Sequence, residues 1–411
     1  MIGWSETHLG FRDMVQRFVA AEVKPRIQAI EHEGEPPYAL LRRLVETFGI
    51  GEMARAQFFA ELEREKARLA SGEPPRERVR KASPEAGDRA ALQAILISEI
   101  CRFSPGMITA FGVSVGLTAG AIISRGTIAQ KERFVPPLLT LEKVGAWAIT
   151  EPGSGSDAFG SMKASARRSG DGYVLNGSKT FITNGPYADT IVFICKLDEG
   201  NEPGERKIVS FVLDAGTAGL TASKPLRKMG LHGSPTGELF LEDVRVDRDR
   251  LLGETEDTPS RSGAKDTFTA ERTGVAAMAL GIIEQCLELS VAYARTRVQF
   301  GKPIGEFQLI QLKLAKMEVS RMNVQNLVFR QIELTAAGKS MTLAEASACK
   351  LYSAQAATEV ALEAVQLFGG NGYMSEFQVE QLCRDAKVLQ IYAGTDEIQI
   401  SQIARSLLWD R

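Results

Sequence analysis

The chain has 411 residues, 44% of them hydrophobic and 24% charged, enough for a large core and two or three domains. Its 49 basic and 51 acidic residues leave a net charge of −2, which offers no general attraction to nucleic acid or to an acidic membrane surface. Five scattered cysteines without a CxxC pair exclude a disulfide framework and suit a reducing compartment, and three histidines (His8, His32, His232) make no plausible metal cluster with them.

The first ~140 residues read as helices. Phe11, Met14, Val15, Phe18 and Val19 repeat at the spacing of one apolar helical face. Glu6 and Asp13 interrupt the N-terminus, so no signal peptide is expected. A charged helix is expected over 54–70, followed by a solvated connector, Ser71-Gly72-Glu73-Pro74-Pro75, and basic residues to Lys81. Pro105 to Ser124 carries no charge and spaces Gly112, Gly116 and Gly120 as GxxxG. A membrane helix has this look, but the content of Gly, Ser and Thr predicts a buried helix closely approached by a neighbour.

The middle, 144–255, changes character. Strands are expected at 173–177, 190–195, 207–213 and 238–242, where β-branched and aromatic residues run continuously or alternate, separated by Gly and Pro. After a polar linker at 254–266, helical periodicity holds to the end in four long segments, about 267–298, 306–338, 342–368 and 376–410, the last broken at Gly394. The domain reading is 1–143 helical, 144–255 β and 256–411 a helical bundle.

Three motifs carry chemistry. In Ala148-Ile149-Thr150-Glu151-Pro152-Gly153-Ser154-Gly155-Ser156-Asp157, glycines and hydroxyls let backbone amides come close to an anion. Taken alone, that pattern is an ordinary loop. Lys179-Thr180-Phe181-Ile182-Thr183-Asn184-Gly185 reads as a strand ending in an Asn-Gly turn. The third runs from Arg384-Asp385-Ala386-Lys387 to Ile391-Tyr392-Ala393-Gly394-Thr395-Asp396-Glu397-Ile398-Gln399.

Together with Glu271-Arg272, these motifs resemble the acyl-CoA dehydrogenase family over nearly the whole chain. The resemblance implies an α+β fold: an N-terminal helical domain, a middle antiparallel β-barrel domain and a C-terminal four-helix bundle. It implies FAD as cofactor and α,β-dehydrogenation of an acyl-CoA thioester. It also implies an electron-transferring flavoprotein as acceptor and a homotetramer, here in the cytoplasm, with no membrane insertion and no nucleic acid. By the same resemblance Trp147, Ile149 and Thr150 line the flavin edge, and Gly155 and Ser156 approach its phosphates. Glu151 and Asp157 are read as structural, since their charges would repel a phosphate. Phe181 stands where the family commonly has Trp against the flavin ring, and Thr183 is the partner near N5. Arg297, Gln299, Phe300 and Gln308, joined by Gln366, Gly369 and Gly370, reach a flavin held by a neighbouring subunit. Thr395 and Glu397 lie near the flavin. Gln381 replaces the usual Arg or Lys, which puts a local ion pair in doubt.

Many family members place the proton-abstracting glutamate just before Gly-Thr, where this chain has Ala393. Members such as isovaleryl-CoA and long-chain acyl-CoA dehydrogenases carry it instead on the first helix of the C-terminal domain. Glu271 is therefore the expected base, with a pKa raised by its apolar surroundings. Arg272, Ala393 and Gly394 are the expected substrate contacts, Ala393 through its backbone amide. Two other readings stay open. One is a flavin oxidase or carrier-thioester dehydrogenase on the same scaffold. The other is a non-catalytic subunit, for which Ala393 speaks and against which Glu271 speaks.

Overall fold

The computed structural model describes residues 3–72, 81–257 and 262–409, with side chains described outside 262–271. The connector around 73–80 and part of the linker at 258–261 therefore lie outside the described residues. The N-terminal helices are α1 (Glu6–Phe18), α2 (Ile27–His32), α3 (Tyr38–Thr47), α4 (Ile50–Ala70), α5 (Pro84–Cys101), α6 (Pro105–Phe111), α7 (Ala119–Arg125) and α8 (Ile128–Leu139). The strands β1 (Gly145–Ala148), β2 (Ser165–Ser169), β3 (Gly172–Thr183), β4 (Thr190–Leu197), β5 (Ile208–Asp214), β6 (Leu220–Ala222) and β7 (Thr236–Val246) follow. The C-terminal helices are α9 (Ser262–Thr296), α10 (Gln308–Ala336), α11 (Leu343–Phe368), α12 (Gln378–Val388) and α13 (Asp396–Trp409); a small hairpin, β8 (Val298–Gln299) and β9 (Lys302–Pro303), separates α9 from α10. Ser5, Ser83, Thr127 and Thr342 cap α1, α5, α8 and α11 by accepting a backbone N–H.

The expected β-domain is a seven-stranded sheet of order β1-β4-β2-β3-β7-β6, with β5 on the other edge of β4; the expectation that it is antiparallel holds except at β1–β4 and β2–β4. β1 and β2 run parallel to β4 and lie end to end along one edge of it, β1 beside 190–193 and β2 beside 196–197. The chain leaves that edge after Ala148, loops outward and re-enters it at Ser165 in the same direction, so both pairings are parallel. β4, buried along its whole length, is the central strand. Its run Thr190-Ile191-Val192-Phe193-Ile194-Cys195 is continuous because both faces are covered.

Two buried hydrophobic clusters are present among the described residues. One joins α1–α3, α5 and α6 to the C-terminal bundle; the other joins α4, α7 and α8 to the sheet. The N-terminal helices thus divide between the two cores. The expected face on α1 forms with Val15, Phe18 and Val19 buried, while Met14 is exposed. The five cysteines are free thiols.

The 105–125 stretch departs from expectation. It is continuous but changes to a π-helical turn over Gly112–Thr118. A side chain placed at Gly112, Gly116 or Gly120 would meet nothing within 4 Å, so no neighbour packs closely on the GxxxG face. This stretch and Arg272–Thr296 are long and apolar enough to cross a membrane, yet 44% and 67% of their apolar windows are buried inside the fold.

One node joins these layers. Asn184, fully buried with φ +66°, donates to the Ala110 and Gly145 carbonyls (both 2.9 Å), accepts from the Tyr38 hydroxyl (3.0 Å) and gives its own N–H to the Pro235 carbonyl (2.7 Å). Asn is favoured there because it tolerates left-handed backbone and both donates and accepts. Asn184→Ala leaves those partners buried without it, and a loss of about 2–4 kcal/mol is expected, summing roughly 1–3 kcal/mol for each unsatisfied group with partial relaxation. The check is the denaturant midpoint of the variant against the parent.

A second junction is acidic. Glu31 on α2 and Asp385 on α12 are both buried beside the 228–236 segment that links β6 to β7. The Leu231 N–H donates to Asp385 at 2.5 Å, Ser104 Oγ donates to Glu31, and His232 Nδ1 lies 3.7 Å from the Glu31 carboxylate. Gln381, expected to weaken a local ion pair, is a neutral donor here, to Asp385 (3.2 Å) and to the Phe103 carbonyl (2.8 Å). Burial, then repulsion from Asp385, pushes Glu31 up to about 8 from 4.5. The folded chain therefore binds more protons than the unfolded one between those values. Its contribution is favourable at the acid end and is lost as pH rises from 4.5 towards about 8. Glu31→Gln is expected to flatten that fall, read as Tm against pH.

Candidate active site

The sequence-predicted residues fall into three groups. The first surrounds the loop between β1 and β2. Trp147 lies in β1 opposite Val192, Ile149 follows the strand, and the Thr150 carbonyl accepts the Thr180 N–H at 2.9 Å, which ties the loop to β3. At that point β3 carries one extra residue against β7: Lys179 pairs Leu239 but Ile182 pairs Gly237. The bulge puts Phe181 at φ +56° and turns its ring outward, 68% exposed. Thr183 follows at the end of the strand, opposite Thr236. Gly155 and Ser156 are exposed at the loop tip, and a side chain at Gly153 or Gly155 would meet nothing within 4 Å.

Glu151 anchors this loop. Its carboxylate accepts the Lys163 N–H (2.7 Å), the Ala164 N–H (2.9 Å) and the Lys179 ammonium (2.9 Å), and Lys179 also donates to the Ile149 carbonyl (3.0 Å). Lys179 is fully buried, and burial lowers its pKa against the opposing pull of Glu151. Asp157 accepts the Ser161 hydroxyl, and its carbonyl accepts Ser154 Oγ at 2.7 Å. Both acids work inside the loop. Nothing in the 179–185 motif signals this role for Lys179, because its partner lies 28 residues away.

The second group is a two-residue hairpin. Val298 pairs Pro303 and Gln299 pairs Lys302, so Phe300 (φ +51°) and Gly301 (φ +79°) form the tip. Phe300 is 95% exposed, its ring edge-on to Phe307 with centroids 6.1 Å apart; Arg297, Gln299 and Gln308 are also exposed. Tyr293 connects this hairpin to the turn after α11. Its carbonyl accepts the Arg297 N–H, its ring stacks on Phe368 at 4.1 Å, and its hydroxyl accepts from Asn371 at 3.0 Å. That places exposed Gln366, Gly369 and Gly370 on the same side of the bundle, and a side chain at either glycine would meet nothing within 4 Å. Among the described residues, no hydrogen bond or ring contact joins this group to the first.

The third group is the turn before α13. Ala393 (φ +53°) and Gly394 (φ +87°) are consecutive left-handed residues, and Thr395 Oγ1 accepts the Ile398 N–H as the cap of α13. Glu397 is exposed in the first turn, its carboxyl held low by its own backbone N–H and the Thr395 hydroxyl. Arg272 is buried, donates to Ser347 Oγ at 2.8 Å, and its Nη2 lies 3.6 Å from where a Gly394 side chain would begin. Glu271 precedes it on α9, and its side chain lies outside the described residues. Two further residues, fully buried Lys350 and Gln399, donate to the carbonyls of this turn; Gln399 ends the third motif and Lys350 lies outside all three. A lysine among Ala346, Ser347, Cys349 and Ser353, all buried on α11, was the available signal for the first.

The open glycine loop, the outward Phe181 and the bare Gly369-Gly370 turn suit a flat, anionic dinucleotide. Comparison with known proteins agrees. Models of the N-terminal, middle and C-terminal domains of acyl-CoA dehydrogenase match residues 81–142, 146–244 and 262–408. The chain is 40% identical to a short-chain-specific acyl-CoA dehydrogenase of Megasphaera elsdenii over 314 residues, 76% of this chain and 81% of that one. It is 38% identical to a mitochondrial isovaleryl-CoA dehydrogenase of Oryza sativa over 76% of this chain and 75% of that one. The solved structure of butyryl-CoA dehydrogenase from Megasphaera elsdenii superposes with a TM-score of 0.82 at 33% identity, covering 99% of this chain and 100% of that one.

Breaking the Glu151–Lys179 pair from one side leaves an uncompensated buried charge. Lys179→Met is expected to cost about 3–5 kcal/mol and to loosen the 151–164 loop. Hydrogen exchange at 153–160 reads the loosening directly, and a parent-like exchange pattern would refute the anchoring role.

Proposed function

The chain belongs to the acyl-CoA dehydrogenase family of FAD-dependent oxidoreductases, and on that premise we propose that it dehydrogenates an acyl-CoA thioester with Glu271 as the base. The observation that carries this reading is the Ala393-Gly394 turn. The position before Gly-Thr holds a methyl group, while Arg272, next to Glu271 on α9, lies against the same turn. A carboxylate on α9 thus starts one residue from a side chain already at the substrate end of the site.

FAD, when bound, supplies the acceptor for the substrate's β-hydride. Trp147, Ile149, Thr150, Phe181 and Thr183 would hold its ring, and the exposed amides and hydroxyl of Gly155 and Ser156 its phosphates. Glu271 takes the α-proton at its carboxylate oxygen. The Ala393 N–H, which has no acceptor among the described residues, donates to the thioester oxygen as negative charge develops there. Arg272 orients the turn and the base. Thr395, as cap, and Glu397 fix the start of α13 beside it.

The exposure of Arg297, Gln299, Phe300, Gln308, Gln366, Gly369 and Gly370 supports an oligomer in which they reach a flavin on another subunit. The almost fully exposed Phe300, together with Leu309, Leu312, Val319 and Met322 exposed along α10, supports burial against further copies, and a homotetramer is the proposed assembly. The proposed electron acceptor is an electron-transferring flavoprotein, and the proposed compartment is the cytoplasm.

Anaerobic titration with short, branched, long and cyclic acyl-CoA thioesters tests the reaction through loss of flavin absorbance. One class is expected to bleach it. Glu271→Gln is expected to keep its FAD and lose roughly 10²–10⁴ in the reduction rate, the range of general base catalysis. An unchanged rate would remove Glu271 from the mechanism.

A further inference from the structure

The turn that offers the Ala393 amide is held from behind. Gln399, on the first turn of α13, donates one Nε2 group to two carbonyls, those of Ala393 (3.0 Å) and Gly394 (2.7 Å). Lys350, on α11, donates to the Gly394 carbonyl at 2.9 Å. Both side chains are completely buried. Asp396 faces Lys350 at 3.5 Å and is itself held by Gln355 (3.2 Å) and Gln390 (3.0 Å). The cation is thereby balanced beside the turn.

In a trans peptide the C=O and N–H point in opposite directions. With both carbonyls drawn toward Lys350 and Gln399, the Gly394 and Thr395 N–H groups, which share those two peptides, face the other way, and the Ala393 N–H, in the preceding peptide, is tied to the clamp through the φ of Ala393. The pull also holds Ala393 at φ +53°, a region that a residue with a Cβ adopts at a cost. A glycine is needed next: a Cβ at Gly394 would stand 2.8 Å from Gln399 Nε2, and its φ is +87°. On the other side, the Tyr392 N–H is taken by the Val388 carbonyl at 3.1 Å. Ala393 is fixed between these supports, and its own N–H stays available.

We propose that Gln399 and Lys350 are positioning residues: by fixing the Ala393 and Gly394 carbonyls they fix the left-handed backbone at Ala393, and through that torsion the direction in which the Ala393 N–H meets the substrate's thioester oxygen. The proposal rests on the reading of that amide as the oxygen's donor. A chain with no carboxylate at position 393 leaves the turn nothing but backbone to offer the substrate, so the orientation of the backbone carries its whole contribution. Misalignment weakens the bond most where charge is greatest, in the enolate-like transition state. Loss of the clamp therefore lowers kcat more than it raises KM.

The test uses the FAD-bound enzyme and acetoacetyl-CoA, a 1,3-dicarbonyl thioester whose enolate carries charge on the same oxygen. Enolate absorbance gives the affinity for the ionised ligand, and a saturated acyl-CoA gives the affinity for a neutral carbonyl. Gln399→Met removes two donated bonds and no charge. It is expected to weaken enolate binding roughly 10–100-fold, the cost of misplacing one oxyanion donor, with saturated acyl-CoA affinity and FAD content unchanged and kcat falling alongside. The double variant Lys350→Met/Asp396→Asn removes the buried pair together and is expected to show the same split, whereas Lys350→Arg recovers part of the enolate affinity. Variants that keep their FAD and bind enolate as tightly as the parent overturn the clamp alone. A parent that stabilises the enolate no better than water does overturns the Ala393 reading and the clamp with it.

Discussion

The buried Lys179–Glu151 pair is the interaction on which the first group of site residues depends. One carboxylate holds the far end of the 151–164 loop through the Lys163 and Ala164 amides, and one ammonium holds the near end through the Ile149 carbonyl. A charge pair out of water is costly to form and costlier to break from one side. The loop tip can stay open and glycine-rich because its two ends are fixed beneath it. The same lysine precedes the bulge that turns Phe181 outward, so the loop and the aromatic ring are referred to one buried point.

The same economy of buried polar groups recurs elsewhere. Asn184 gathers α3, α6, β1 and the segment before β7; Gln399 and Lys350 gather α11, α13 and the 393–394 turn. Each sits where regular structure stops and left-handed backbone begins. Hydrophobic burial builds the two cores, but it is non-directional and does not fix a peptide plane. Directional bonds from buried side chains do that work at the site.

The division into two cores also explains how the parts are held in relation. α1–α3, α5 and α6 belong with the bundle, while α4, α7 and α8 belong with the sheet. The N-terminal helices therefore join the sheet to α9, α10, α11 and α12. The acidic junction of Glu31 and Asp385, where α2, α12 and the 228–236 segment meet, lies on the same seam and makes it sensitive to protonation.

The sequence by itself determined the helical ends, the β middle, the long strands β3, β4, β5 and β7, and the contiguous motifs at 148–157, 179–185 and 384–399. These are local signals: periodicity over ten or more residues, or several special residues in a row. It did not yield β1, β2 or β6, which have four, five and three residues, too few for a period of two to stand out. Nor did it yield the parallel pairing along β4, because strand direction depends on where the chain returns. The glycines at 112, 116 and 120 promised a close neighbour, and the tertiary structure leaves them facing open space, since small residues fit both. Lys179, Asn184, Lys350 and Gln399 acquired their roles only in three dimensions. A buried donor is defined by its acceptor, and Lys350 meets its acceptor 44 residues along the chain.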